Sequence, residues 1–299
     1  MLQEERTPMA TKDHPEEDCS PLLDSYHHRE YQALIGMLQW VTTISRADVC
    51  YATSSLSRFS AAPREGHLSR VLRVGGYLKK YLNGAIRIDS SPFKRRPNIK
   101  QKEVFNFADQ YSYAVEEVDK SFPKPLGEEL DVNIFFDSDH AHDRKTGRSI
   151  SGIIVYLGNT PIIWKSRQQG AVQTSTYGAE LCAMRMAVAE AISICFMLRS
   201  FGICVSSPTL TMGDNKGAII TAITPECALK KKHVALSYHF VREQTAVGTI
   251  NPQKIEGRDN VADLLTKALD RNTFMTHTHT SKILSVSTNP MEKIPSHHL

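Results

Sequence analysis

The feature that most constrains the fold is a change of apolar spacing near residue 131. Before it, apolar residues recur at helical spacing; after it, they form short runs bounded by turn residues. The runs are VNIFFD (132–137), SGIIVYLG (151–158), PIIWKS (161–166), PTLTMGD (208–214) and TINPQKIEG (249–257). Three strands joined by short turns, followed by strands that alternate with helices, predict a mixed α/β sheet flanked by helices.

Helical patterns account for most of the remaining chain. In the second half they predict helices over 176–200, 215–221, 231–245 and 260–269. In the first half, residues 31–82 predict three helices, the clearest between Arg64 and Asn83, where leucines and valines share one face and basic residues the other. The segment AIRID (85–89) predicts a further strand.

Composition divides the chain into five parts. Residues 1–30 are polar and acidic and predict a disordered linker, and 271–299 are rich in Ser, Thr and His and predict a disordered tail. Between them we expect a small helical subdomain over 31–89, a proline-containing connector over 90–130 and the α/β domain over 131–270.

Charge is distributed unevenly along the chain. The net charge is +4, yet it comprises −5 over 1–30, +9 over 31–100, −7 over 101–140 and +7 over the remainder. The +9 block indicates a polyanionic partner, although a solvated helical face has the same composition. No apolar run reaches the length of a membrane span, so we expect no membrane partner. Six scattered cysteines favour reduced thiols and an intracellular location.

Four carboxylates lie at the ends of predicted strands or near the starts of predicted helices. Asp137 and Asp214 end two strands, Glu180 lies near the start of the long helix, and Asp263 lies in the first turn of the last predicted helix. If the two strands are neighbours, the four side chains converge, and such a group requires cations. Oxygen-only ligands favour Mg²⁺ or Mn²⁺, and two such ions suit phosphodiester hydrolysis. Each carboxylate taken alone is more often a capping or surface residue.

Longer motifs extend this pattern to a known family. Residues 131–269 resemble the ribonuclease H domain of copia-type retrotransposon Pol polyproteins, through FFDSDHAHDRKTGRSISGIIVYLG, PIIWKSRQQGAVQTSTYGAE, GDNKGAI, KKKHVALSYHFVREQ and GRDNVADLLTK. Residues 31–89 resemble the end of the family's reverse transcriptase, through YQALIGMLQW, ADVCYATSSLSRFSAAPREGHL and RVGGYLKKYL.

The resemblance implies a ribonuclease H-like five-stranded sheet of order 3-2-1-4-5, preceded by the helical subdomain. It implies an endonuclease that cleaves the RNA strand of RNA–DNA hybrids, with Asp137, Glu180, Asp214 and Asp263 as catalytic residues and ligands of two Mg²⁺ or Mn²⁺ ions. The implied partners are the hybrid, template–primer nucleic acid and an upstream reverse transcriptase palm and fingers. The implied location is the cytoplasm, a virus-like particle or the nucleus.

Basic residues near these motifs are candidates for contacts with the nucleic acid, because a hybrid is bound mainly through its phosphates and ribose hydroxyls. They are Lys165, Arg167, Lys216, Lys231, Lys232 and His233. For each lysine the alternative is a solvated surface residue.

The chain departs from the family pattern in three ways. Gly178 stands where many members have Glu, the loop over 257–260 has no His, and no Asp-Asp pair of a polymerase site occurs. We therefore expect a fragment or truncated copy of a larger polyprotein that does not polymerise DNA. Two alternatives stay open, an inactive remnant that only binds nucleic acid and another nuclease of the same fold, such as a resolvase or an integrase core.

Overall fold

The computed structural model describes residues 3–89, 91, 105, 107, 109–116, 118–205, 208–229 and 232–284. Three helices come first, α1 (Ser25–Ile44), α2 (Cys50–Ser57) and α3 (Glu65–Lys80). The α/β part follows with β1 (Leu126–Leu130), β2 (Val132–Asp139), β3 (Ile150–Leu157), β4 (Thr160–Gln168), α4 (Thr176–Ser200), β5 (Ile203–Val205), β6 (Thr209–Gly213), α5 (Lys216–Ile223), α6 (Ala235–Val247), β7 (Ile250–Lys254) and α7 (Arg271–Thr280).

The main sheet has the strand order β4-β3-β2-β6-β7. The first three strands pair antiparallel as successive hairpins, whereas β6 runs parallel to both β2 and β7. Numbered along the chain, these five strands have the order 3-2-1-4-5, so the ribonuclease H-like mixed sheet is confirmed. A separate pair, β1 with β5, forms a small parallel sheet that the sequence did not predict.

One face of the main sheet is covered by α4, α5 and α6. Alternation along the strands turns Ile134, Phe136 and Ile153 toward these helices, where they are fully buried. Among the described residues, α4 is the one helix long and apolar enough to cross a membrane. Half of its apolar window is buried against the protein, and the buried positions pack on the sheet, so α4 is the central core helix.

The opposite face of the sheet packs against the helical module, which we define as α1 to α3. Phe135, Ile154 and Tyr156 belong to the same continuous apolar cluster as residues of these helices. Two hydrogen bonds fix the contact. Trp164 Nε1 donates to the Thr42 carbonyl at 2.8 Å, and Ser54 Oγ donates to the Ser166 carbonyl at 2.8 Å. The helical segment predicted as a subdomain therefore shares a core with the α/β part.

The predicted disorder of residues 1–30 is wrong for the described residues. Residues 3–24, which we call the N-terminal strap, lie along α3, and α1 already begins at Ser25. Arg70 on α3 binds Asp13 at 2.9 Å and Asp18 at 2.6 Å, while Met9 is buried in the core. Disorder was predicted from the polar composition, but the strap is ordered by ion pairs with residues distant in sequence.

The C-terminal segment also differs from its prediction. Instead of a disordered tail, residues 271–280 form α7, whose first turn is capped by Asp270 through the backbone N–H groups of Asn272 and Thr273. The Phe274 ring is buried with its centroid 5.8 Å from that of Tyr77 on α3. Residues 285–299 of the predicted tail lie outside the described residues.

Two predicted elements are replaced by others. Residues 86–89 have no regular structure: the Arg87 N–H donates to the Lys282 carbonyl, and the Asp89 N–H donates to the side-chain hydroxyl of Thr160 on β4, so no strand ladder forms. The helix predicted over 260–269 is a short 3-10 helix, Val261–Leu265, begun by the Asn260 side chain, which accepts the Ala262 N–H. The predicted helix over 176–200 is confirmed as α4.

Candidate active site

Three carboxylates meet at one edge of the main sheet. Asp137 lies near the end of β2 and Asp214 directly follows β6, and because β2 and β6 are parallel neighbours both emerge at the same edge. Glu180 lies in the second turn of α4, which crosses behind this edge. Each residue offers an oxygen within 4.8 Å of the oxygens of the other two.

Local hydrogen bonds hold Glu180 in this position. Ser175 caps α4 by accepting the Gly178 N–H, so the helix begins one turn before the carboxylate. Gln169, directly after β4, donates to the Ala179 carbonyl at 2.9 Å and to Ser151 Oγ on β3 at 2.8 Å. The side chain of Gln169 therefore ties the first turns of α4 to the sheet next to Asp137.

Asp263 reaches the site from the 3-10 helix Val261–Leu265. Gly152 on β3, the register partner of Asp137, makes this approach possible, because a Cβ there would lie 2.8 Å from both the Ala262 carbonyl oxygen and the Leu265 Cβ. Asn260 Nδ2 also donates to the Phe136 carbonyl at 2.9 Å. We call Asp137, Glu180, Asp214 and Asp263 the acidic site.

Two residues that follow Asp263 contact the acidic site directly. Thr266 Oγ1 donates to Asp137 Oδ2 at 2.5 Å, and Lys267 Nζ donates to Asp263 Oδ1 at 2.9 Å. Burial lowers the pKa of Lys267, but Asp137 and Asp263 outweigh that effect and raise the pKa above its ordinary value. Both contacts were missed from the sequence, although a lysine four residues after Asp263 is a helical pairing that could have indicated one of them.

Ionising all the carboxyl groups of the acidic site is unfavourable, because they are close together and shielded from water. Burial, Asp137 and Asp214 together raise the pKa of Glu180 to about 10. Burial and Asp137 raise the pKa of Asp263 to about 7, and the same two causes raise the pKa of Asp214. With these pKa values Glu180 is protonated and Asp263 partly protonated near neutral pH in the protein without a bound cation.

The donor set fits a divalent cation. Asp137, Glu180 and Asp214 supply oxygen only, which suits Mg²⁺ or Mn²⁺. Glu180 Oε1 and Oε2 differ in their environment, because Oε2 is buried without a hydrogen-bond partner among the described residues. A buried carboxylate oxygen in this state gains most from a cation placed among the three side chains.

The predicted nucleic-acid residues are spread over the molecule. Lys216 begins α5 two residues after Asp214, and its side chain is exposed at the acidic site's edge of the sheet. Lys165 and Arg167 lie on β4, two strands from β2, and Lys165 forms an ion pair with Glu190 of α4. Lys232 and His233 lie in a 3-10 helix before α6, where Lys232 is exposed, and Lys231 lies outside the described residues.

A polar chain beside the acidic site connects it with the helical module. Asp139, at the end of β2, binds His142 Nδ1 at 2.6 Å, and His142 Nε2 lies 2.8 Å from the Tyr51 hydroxyl of α2. His142 is buried in the loop between β2 and β3. No spacing in the sequence indicated this contact, because Tyr51 is 91 residues away from His142.

Comparison with known proteins gives relatives over most of the chain. The retrovirus-related Pol polyprotein from transposon RE1 of Arabidopsis thaliana is 30% identical over 245 residues, 82% of this chain and 14% of that protein. The corresponding polyprotein from transposon RE2 of the same plant is 29% identical over 257 residues, 86% of this chain and 15% of that protein. Over more than four fifths of its length the chain is similar in sequence to these retrotransposon Pol polyproteins. The family resemblance inferred from the motifs is thereby confirmed.

As a Pol polyprotein homologue, the chain spans about one seventh of the length of these relatives. No protein-family model matches it. Among solved structures, the N-terminal RNase H domain of rv2228c from Mycobacterium tuberculosis is similar at 14% identity with a TM-score of 0.37, covering 51% of this chain and 99% of that domain. The observed sheet order β4-β3-β2-β6-β7 is the one that the family resemblance led us to expect.

Proposed function

We propose that the chain is a metal-dependent ribonuclease H that cleaves the RNA strand of RNA–DNA hybrids. The observation that carries the proposal is the meeting of Asp137, Glu180 and Asp214 within 4.8 Å, at the ends of two parallel strands and on the helix behind them. Carboxylates are gathered and buried in this way at sites that bind cations, because their mutual repulsion is otherwise uncompensated.

In this proposal Asp137, Glu180 and Asp214 would hold the first divalent ion, and Asp263 with Asp137 would hold a second. Bound ions would activate a water and neutralise charge that develops on the phosphate. Thr266 would orient Asp137 through its hydrogen bond, and the Ser138 N–H would orient Glu180. The exposed ammonium of Lys216 would contact a phosphate of the hybrid beside the ions.

The partners follow from the same proposal. The hybrid would lie across the carboxylate edge of the sheet, with Lys216 and Lys232 among its phosphate contacts. The palm and fingers of a reverse transcriptase elsewhere in the polyprotein would deliver it. An intracellular location would suit the six cysteines, all of which are free thiols.

The decisive experiment measures cleavage of a labelled RNA–DNA hybrid in millimolar Mg²⁺. The wild-type chain is compared with Asp137→Asn and with the matched control Asp109→Asn, whose side chain is exposed in the connector. We expect Asp137→Asn to abolish cleavage without loss of folding, whereas the control cleaves normally. Cleavage by Asp137→Asn would refute the assignment, and wild-type binding without cleavage in either Mg²⁺ or Mn²⁺ would favour the inactive remnant.

A further inference from the structure

The corner of the acidic site around Asp263 differs from the corner around Glu180. At Asp263, Oδ1 accepts a hydrogen bond from the Lys267 ammonium at 2.9 Å. At Glu180, Oε2 is buried and has no partner among the described residues. One corner therefore already holds a positive charge that belongs to the chain, and the other has an unsatisfied oxygen.

The position of Lys267 is fixed by its neighbours. Thr266 bonds Asp137 Oδ2 at 2.5 Å, and its own backbone N–H bonds the Asp263 carbonyl at 3.2 Å. These two bonds hold residues 266 and 267 against the carboxylates. The side chain of Lys267 is 38% exposed, so it lies at the mouth of the site rather than beneath the carboxylates.

The three carboxylates that group within 4.8 Å leave out Asp263. The Lys267 ammonium also lies near Asp137, but among the described residues its hydrogen bond is to Asp263, so a cation among Asp137, Glu180 and Asp214 would not have to break that bond. A cation bound by Asp263 would have to displace the ammonium from Oδ1, or share the carboxylate with it at close range. Two positive charges a few ångströms apart repel each other even in a solvated site.

We propose that Lys267 is a resident cation that occupies the Asp263 corner and weakens the binding of a second divalent ion there. This inference rests on the proposed function and adds the order in which the two ions bind. The first ion binds among Asp137, Glu180 and Asp214, and the second binds only as the ammonium of Lys267 moves off Asp263.

The test is a titration of the full chain with Mn²⁺ and no nucleic acid. Calorimetry and the electron paramagnetic resonance signal of the free Mn²⁺ both measure how many ions bind and how tightly. The variants are Lys267→Met, which removes the charge at similar length, and Lys267→Arg, which keeps it. Lys120→Met, an exposed lysine of the connector, is the matched control. Thermal melting checks the fold, and Lys267→Gln replaces Lys267→Met if the latter does not fold.

We expect the wild-type chain to bind one Mn²⁺ tightly and a second at least about tenfold more weakly. Lys267→Met should tighten the second site about tenfold, and Lys267→Arg and Lys120→Met should not. An unchanged second site in Lys267→Met, with the first site intact, would overturn this inference and leave the proposed function standing. Absence of any Mn²⁺ binding by the wild-type chain would overturn both.

Discussion

The N-terminal strap and the acidic site each contain a group of carboxylates, and the two groups have opposite electrostatics. In the N-terminal strap, burial alone would raise the pKa of Asp18, but hydrogen bonds from Ser20 and Arg70 lower it to about 2. In the acidic site, burial and neighbouring carboxylates raise the pKa of Glu180 to about 10. The strap carboxylates have arginine partners, whereas the site carboxylates mainly have one another. A group of buried charges that the fold leaves uncompensated indicates a ligand, and a compensated group indicates structure.

Among the changes that test this difference, Glu180→Gln should have the largest effect on cleavage. Loss of the carboxylate should reduce cleavage of the hybrid by on the order of 10³-fold or more. The same change should raise the melting temperature of the metal-free protein at pH 8, because a neutral amide replaces a carboxyl group that is costly to ionise there.

Melting in a chelator and cleavage in Mg²⁺, measured on the same preparation, check both halves of the Glu180→Gln prediction. Glu190→Gln is the matched control on α4, since Glu190 pairs with Lys165 away from the acidic site. A lower melting temperature for Glu180→Gln in the chelator would contradict the electrostatic account.

A strap arginine should behave in the opposite way. Arg70→Ala leaves Asp13 and Asp18 without their arginine partner, and we expect the free energy of unfolding to fall by about 2 kcal/mol. Chemical denaturation measures the loss. In the background Asp13→Asn/Asp18→Asn the cost of Arg70→Ala should shrink, and an equal cost in both backgrounds would show that the ion pairs contribute nothing.

The two groups should also give stability opposite dependences on pH. The lowered pKa of Asp18 contributes stability above its unfolded value, and this is lost as the pH falls from about 4 toward 2. The raised pKa of Asp263 contributes stability below its unfolded value, and this is lost as the pH rises from about 4 through 7.

Melting of the metal-free protein should therefore peak in mildly acidic buffer and decline by roughly 5 °C or more toward pH 8. Saturating Mg²⁺ should flatten the decline, because the cation favours the ionised carboxylates. Asp263→Asn should remove the part of the decline below pH 7. A metal-free melting temperature that rises steadily from pH 5 to 8 would contradict the raised pKa values.

The smallest expected effect is a difference in hybrid affinity between variants of two exposed lysines, Lys216 and Lys165. Lys216→Ala should weaken binding of the hybrid severalfold and reduce the salt dependence by about one ion, because Lys216 lies beside Asp214. Lys165→Ala should leave the affinity nearly unchanged, because Lys165 is paired with Glu190. Binding measured in Ca²⁺ at several salt concentrations compares them, and equal losses would place the hybrid across β4 as well.

Much of the fold and part of the site could be predicted from the sequence. The strands themselves followed from short turns and apolar runs, whereas their order, which brings Asp137 and Asp214 to one edge at the ends of β2 and β6, followed from the family resemblance. Short turns and apolar runs are local patterns, and their positions in the chain determine where the strands begin and end. Glu180 and Asp263 were placed near the starts of predicted helices, and the family motifs assigned them to the same site as Asp137 and Asp214.

The remainder depends on contacts between distant segments. The strap was predicted to be disordered because its composition is polar, yet its order comes from Arg70, more than 50 residues away. The contact of Thr266 with Asp137 spans 129 residues. Composition and period describe a segment alone and contain no information about a partner of this kind.

The hydrogen bond from Trp164 to Thr42 has a consequence for how this sequence can be divided. A truncated chain limited to 131–270 would expose the sheet face that carries Phe135, Ile154 and Tyr156 to water. Such a piece should aggregate rather than act as an independent enzyme. A shorter piece that keeps this sheet face covered would then have to include α1 to α3, so the folding unit is larger than the segment that contains the acidic site.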